Sequence, residues 1–445
     1  MSEAPIFQYI MTNHRSLVVG LFALPLSTLW DLYIRFRFWL NFWLRSPPLQ
    51  HAARVAKVVE QVKARPQGKR MVTGRPGWQS VSLSYRSYKK DSHTIDALCD
   101  LIDIIGLDTT SETPTVTVEP LVSVGMLTHH LLPRGFMLPV VPEMDDLTVG
   151  GLVNGTGIES SSHIHGLFHE QCESFEVCLA DGTVVRASKD ENADLFNALP
   201  WSYGTLGMLL SVTLRIVPCK PYVRLTYFPY TDQATACAHF AALSSGTAPP
   251  PGALSDGTLP RQPEYVEALA FSKSRLVVMA GMPADAPQVD GVVNSLRYWF
   301  KPWFFKHVES KLKLTDAATP TVEYIPLRDY YHRHTRSMFW EMELMFPIGN
   351  LSLIRLLTGW MLPPKVSFLK LTQTEVTRRL TQETHVAQDF MLPMRELPAM
   401  LNLCDEHLGQ CYPNWLCPHV HRPMPGTLMP PPPQGAAGAG GAEMY

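Results

Sequence analysis

Four glycines, Gly150, Gly151, Gly155 and Gly157, fall within one short stretch of PEMDDLTVGGLVNGTGIESSSHIHGLF (142–168). Without Cβ atoms they let backbone amides close around an anion and reach dihedral angles shut to other residues, which suits a diphosphate. The spacing is not G-x-G-x-x-G and no helical period follows at once, so the ligand suggested is a dinucleotide held outside a Rossmann turn. MVTGRPGWQSVSLSY (71–85) is a second cradle candidate, in which Gly74, Arg75, Gly77, Ser80 and Ser82 offer amides, a cation and hydroxyls. For any single serine of either loop, a turn or helix cap is the stronger reading. Glu143, Asp145 and Asp146 read as turn or capping carboxylates, because the neighbouring sequence lacks the further oxygens a metal needs. Cys404, His407, Cys411, Cys417, His419 and His421 match no regular zinc spacing, and no metal is expected.

Both loops need elements to hold them. In HAARVAKVVEQVKA (51–64), Val55, Val58, Val59 and Val62 recur at helical spacing opposite Arg54, Lys57, Glu60 and Lys63. Val81, Leu83 and Tyr85 alternate as a strand, Thr115 to Glu119 reads as another, and Val124 to Leu132 as a helix stopped by Pro133. Phe175 to Leu179 and Thr183 to Ala187 flank Asp181-Gly182, a two-residue hairpin signal. Ser211 to Val217 alternates again, and Pro218 and Pro221 place a domain boundary near 220. Beyond it, Val223, Leu225 and Tyr227 share one strand face, and Glu264 to Met282 forms a hairpin around Ser272 to Arg275. The aromatic and basic stretches 298–313, 324–343 and 356–373 complete an α+β cap domain.

With 445 residues, 46% of them hydrophobic, and a net charge of −2, the chain can bury a large core in about two domains and gives no reason to expect nucleic acid as a partner. Its eight cysteines are scattered without a C-x-x-C pair, which fits reduced thiols facing the cytosol. Leu17 to Trp30 carries no charge and is followed by Trp39 and Trp43 among Phe36, Phe38 and Phe42, with Arg35, Arg37 and Arg45 placed to reach headgroups. This reads as an N-terminal membrane anchor, single-pass or monotopic, with the bulk of the chain cytosolic. The competing reading is a buried core helix, because the apolar run is short for a full span.

The motifs TGRPGW, PEMDDLTVGGL, GTGIESSSH, LPWSYGTLG, KPWFFKHVE, IPLRDYYHRHTRS and PPKVSFLKLTQ resemble the delta-24-sterol reductase (Diminuto) family over nearly everything from Leu17 to Trp415. The resemblance implies an α+β, two-subdomain FAD-binding fold of the vanillyl-alcohol-oxidase (PCMH) type. Its parts are a membrane anchor (1–50), the FAD-binding domain (51–220), a substrate or cap domain (221–421) and a Pro/Gly/Ala-rich tail (422–445), whose composition predicts disorder. It further implies an endoplasmic-reticulum membrane location and NADPH-dependent reduction of a sterol side-chain double bond in sterol biosynthesis. The flavin contact is carried onto Thr156, Gly157, Ile158, Glu159, Ser160, Ser161, Ser162, His163, Ile164, His165, Gly166, Leu167 and Phe168, with Gly150 and Gly151 before them and Gly74, Arg75, Gly77 and Ser80 in the first loop. Related flavoproteins often attach FAD through a histidine of the first loop; RPGWQS has none, so FAD is expected without a covalent bond. Sterol and membrane are the expected partners, and self-association into a homo-oligomer is compatible with them.

An isolated trisubstituted alkene accepts hydride poorly, so an acid must protonate the less substituted carbon as hydride reaches the tertiary one. The candidates are Tyr331, His332 and His334, with Arg333 or Arg336 expected to pair with NADPH phosphates. For each alone, a packed and hydrogen-bonded role is the commoner one. Family members continue past Glu443-Met444-Tyr445, which leaves two rivals to an active reductase: an FAD-dependent alcohol or sugar oxidase, and a short, non-catalytic form that binds flavin, sterol or the longer protein. Asn154 and Asn350 head glycosylation sequons that are expected to stay bare in the cytosol.

Overall fold

The computed structural model describes residues 5–44, 47–75, 89, 91–313, 319–363, 374–376, 379, 389–408, 412–422, 426–428 and 443–445. The apolar N-terminus is helical from Arg15–Val18 through a π turn, Val19–Ala23, into Leu24–Leu44. Pro25 accounts for the widened turn, since it cannot donate the N–H that an α-helix would bond to Leu21. A second helix, Pro47–Lys63, buries Val58 and Val62 against Leu98, Leu101, Cys178 and Leu210, as its valine spacing predicts.

Two antiparallel sheets follow. The first orders its strands Ile104–Asp108, Thr115–Val118, Met208–Arg215, Cys172–Cys178 and Val184–Ser188. The turn at Asp181-Gly182 holds three residues rather than two, because Leu179 pairs with Thr183 (2.8 Å) and Gly182 takes a φ of 85°. The second sheet orders Val292–Val293, Thr321–Pro326, Tyr222–Tyr230, Arg275–Ala284, Tyr265–Ser272 and Asn414–Leu416, with only the Val292–Val293 edge parallel. A parallel pair, Met71–Thr73 with His93–Ile95, leads into the first glycine turn.

One hydrophobic cluster runs from Val116, Val212 and Leu214 through Phe168 to Tyr265, Val277 and Tyr330, so the two sheets share a core. A second cluster under the helix Gln233–Ser245 covers the far face of the larger sheet. The tail departs from its expected disorder at its last residues. Glu443–Met444 pairs with Val420–His421, and Tyr445 exchanges backbone hydrogen bonds with His419 at 2.7 and 2.8 Å. Those bonds, and the ring contacts of Tyr445 with His419 (tilted, 5.5 Å) and His421 (edge-on, 5.4 Å), supply what the Pro/Gly/Ala composition does not. The strand expected at Val81, Leu83 and Tyr85, and PPKVSFLKLTQ beyond Pro363, lie outside the described residues.

Candidate functional site

The second glycine loop is pinned at both ends. Gly150 donates to Pro120 O at 2.7 Å, and a Cβ on it would lie 2.7 Å from the Pro120 side chain, so only glycine fits. Gly157 is enclosed by Leu152, Phe168 and Pro142, and its carbonyl accepts from Phe168 N at 2.9 Å. Between these pins Gly151 and Thr156 are exposed, and the amides of Thr156, Gly157 and Ile158 find no partner among the described residues. Three consecutive unspent donors on a glycine loop fit a diphosphate.

The serines that follow are spent inside the protein. Ser161 Oγ donates to Pro139 O (2.8 Å), Ser162 Oγ accepts from Glu159 N (3.0 Å), and Ser160 Oγ shares a hydrogen bond with Tyr330 Oη (3.0 Å). His163 Nε2 donates to Pro263 O at 2.8 Å, and His165 Nε2 lies 2.7 Å from Glu264 Oε1. Ile164 O accepts from Arg422 at 2.7 Å, and Leu167 N donates to Glu170 Oε1 at 2.8 Å. Gly166, at φ 78°, is required there because a Cβ would strike that carboxylate. The stretch from Ser160 to Phe168 is therefore chiefly a brace, and the open donors sit before it.

In the first loop, Gly74 has no room for a Cβ beside Asp96, and Lys89 Nζ donates to Thr73 O (3.0 Å) and Arg75 O (2.7 Å). Lys89 is a cation that sequence reasoning missed, since only the fold of the turn brings it to Arg75. Gly77, Ser80 and Ser82 lie outside the described residues.

A buried charge cluster joins the second glycine loop to the larger sheet. Arg333 donates from Nε and one terminal nitrogen to Glu267 (both 2.8 Å), from that nitrogen to Glu159 Oε1 (2.6 Å), and from the other to Tyr330 O (2.9 Å). Trp415 Nε1 donates to Glu267 Oε2 at 2.8 Å, and Val266 N donates to Ser160 O at 2.8 Å. Burial alone would raise the Glu267 carboxyl, but Arg333 and His334 hold it down at about 2. Burial raises Glu159 in spite of Arg333, and Glu143, buried beside Glu159, is pushed up to about 8. Glu159 Oε2 is buried without a partner among the described residues. Glu267 and Trp415 escaped the sequence reading because no local pattern marks them.

The three acid candidates do not converge. Tyr331 Oη contacts Met137 Sδ (2.6 Å) and Tyr265 Oη (3.1 Å), and burial keeps its phenol protonated well above the ordinary range. His332 is set between Asp145 (3.0 Å) and Thr128 Oγ1 (2.8 Å). His334 stacks on Phe339 at 4.4 Å, and burial lowers it to about 4, so at neutral pH it has no proton to give. The expected pairing of Arg333 or Arg336 with NADPH phosphates is corrected: Arg333 is consumed by two carboxylates, and the half-buried Arg336 donates to the carbonyls of Lys301 and Leu296. Among the described residues no group of three or more histidine, cysteine or carboxylate side chains could hold a metal.

Residues 49–188 match a family model described as an FAD binding domain. That stretch holds both glycine turns and most of the five-stranded sheet, and the FAD-binding fold is the one expected from the sequence. The chain is 44% identical over 426 residues to a Homo sapiens protein named Delta(24)-sterol reductase, across 95% of this chain and 78% of the relative. It is 38% identical over 434 residues to a Caenorhabditis elegans protein named Delta(24)-sterol reductase homolog dhcr-24, across 95% and 79%. Among solved structures, one titled chitooligosaccharide oxidase aligns at a TM-score of 0.43 and 16% identity over 62% of this chain and 54% of that one.

Proposed function

Because the chain belongs to the delta(24)-sterol reductase family, we propose that it reduces the delta-24 double bond of a sterol side chain with FAD as cofactor and NADPH as donor. The observation that supports this most is the 2.6 Å contact of Glu159 with Arg333, which locks the glycine loop against the cap beside Tyr330 and Tyr331. Bound FAD would pass a hydride from the nicotinamide to the tertiary carbon of the alkene.

The chain's own part is to hold, orient and protonate. The amides of Thr156 to Ile158 with Gly151 would hold the diphosphate, and the first loop, with Arg75 and Lys89, would add positive charge. The brace from Ser160 to Phe168 fixes that cradle without spending its donors. Tyr331 is the proposed proton donor, because its phenol keeps its proton and shares a hydrogen bond with Tyr265 Oη at 3.1 Å, through which that proton could be replaced, whereas burial leaves His334 neutral. His332, fixed by Asp145 and Thr128, would orient the turn that carries it.

The apolar stretch Arg15–Tyr33 of the N-terminal helical run, long and apolar enough to cross a membrane and mostly exposed, supports a membrane location. The endoplasmic reticulum is the placement that membership of the family implies, and the arginines after the apolar run favour the cytosolic side for the bulk of the chain. Turnover of a delta-24 sterol with NADPH by the full chain in D2O tests the reaction. The product should carry one solvent deuterium, on the less substituted carbon. Hydrogen peroxide formation without a saturated sterol would instead identify an oxidase.

A further inference from the structure

The helix Ser352–Thr358 is inside out. Its charged residue, Arg355, is 9% exposed and donates to the carbonyls of Phe300 and Asn350. Leu353, Leu356 and Leu357 are instead 66%, 55% and 59% exposed, and Trp360 just beyond is 56% exposed. Their spacing of three, four and seven puts all four on one stripe. In water such a helix has its faces reversed; against hydrocarbon it has them the right way round.

A second stripe lies beside it. Along the N-terminal helical run, Leu17, Leu21, Leu29, Leu32 and Phe36 are exposed, while Val19, Ala23, Leu24 and Ser27 on the opposite side are buried. That buried side shares a cluster with Met342 and Phe346, and Gly20 faces the Phe346 ring. The two stripes thus belong to one packed unit. Tyr298, Trp299 and Phe300 border the short helix, each half-exposed, with Trp299 Nε1 donating to Leu356 O at 3.3 Å and the Arg297 guanidinium 5.3 Å from the Tyr298 ring. Amphipathic aromatics and a cation at the rim of an apolar face are the pattern of a membrane–water interface.

We propose that the face formed by Leu353, Leu356, Leu357 and Trp360 is a second membrane contact, seated in lipid beside the N-terminal helix, so that the body of the protein lies on the bilayer instead of hanging from one helix. The inference rests on the membrane reading of that helix and commits to lipid as occupant, because the face is continuous with a helix of membrane-spanning length and composition. A sterol, itself a membrane lipid, would then reach the cap without crossing water.

The test is a photo-crosslinking amino acid placed singly at Leu353 or Leu357 in the full chain, reconstituted in phosphatidylcholine vesicles and irradiated. Leu21 serves as the lipid-facing reference, and Val184, on the far edge of the smaller sheet, as the aqueous one. Lipid adducts at 353 and 357 should match those at 21 and exceed those at 184 by about tenfold. Adducts at 21 alone would overturn the second contact and leave the N-terminal membrane reading standing. Adducts at none of the three would overturn both. Crosslinks from 353 or 357 to a second copy of the chain would show the face to be a protein interface and the proposal wrong.

Discussion

Glu159 Oε1 and an Arg333 terminal nitrogen meet at 2.6 Å with neither side chain exposed, across 174 residues of sequence. The contact ties the glycine loop to the segment that carries Tyr330 and Tyr331, and the same guanidinium holds Glu267 on the larger sheet. The glycine loop and the larger sheet thus share a single cation.

Removing that cation would leave Glu267 buried with the Trp415 N–H and the neutral His334 but no positive charge beside it. Arg333→Met is expected to destabilise the protein by about 3–5 kcal/mol, read as a lowered denaturation midpoint in detergent. Arg333→Lys should recover only part of this, since an ammonium cannot reproduce the planar fork between two carboxylates.

The second glycine loop has no room for methyl groups at Gly150 or Gly157. Gly150→Ala would set a Cβ 2.7 Å from Pro120 Cβ and 3.0 Å from its carbonyl oxygen. A cost of about 1–3 kcal/mol follows from such overpacking. Purified protein should retain less flavin than wild type, measured by the visible absorbance per chain.

Tyr331→Phe removes one hydroxyl from a packed site and little else. If that phenol supplies the proton, kcat should fall by about 10²–10⁴-fold while flavin content is unchanged. An equal loss in His334→Phe, with Tyr331→Phe near wild type, would move the acid elsewhere.

His51 lies between Glu119 (2.7 Å) and Glu176 (2.8 Å), clamping the helix Pro47–Lys63 onto the smaller sheet. Burial opposes its charge, but the hydrogen bonds to the two carboxylates win and raise it from 6.5 to about 9. Because the folded value exceeds the unfolded one, the stabilisation is complete below pH 6.5 and is lost as pH climbs through 9. Unfolding free energy should drop by up to roughly 3 kcal/mol over that window, and His51→Gln should flatten the slope.

Both sequon asparagines already use their side-chain amides: Asn154 Nδ2 donates to Gly150 O at 2.8 Å, and Asn350 Oδ1 accepts from Trp303 N at 3.1 Å. Treatment with an N-glycosidase should leave the electrophoretic mobility of the expressed chain unchanged.

The elements that were legible in the sequence are those written in local pattern. The valine period of 55–62 gave a helix, the alternation of 223–227 gave a strand, and Asp181-Gly182 gave a turn whose length alone was misjudged. Glycine marked the loop because Gly150 and Gly157 answer to neighbours that any side chain would strike. What stayed hidden depends on distant partners. Arg333 read as a phosphate ligand because nothing near it in sequence discloses Glu159 or Glu267. Ser160 and Ser161, onto which the resemblance carries a flavin contact, are occupied by Tyr330 and Pro139, which are remote in sequence. Tyr445 read as part of a disordered tail because its order comes from His419 and His421, which are remote from it in sequence.

Anaerobic mixing of the full-length, flavin-loaded chain with NADPH, followed by addition of a delta-24 sterol, tests the central claim most directly. The flavin absorbance should bleach on NADPH and return on the sterol, with one saturated sterol formed for each flavin reoxidised. Flavin that NADPH does not reduce, or that only oxygen reoxidises, would contradict the account.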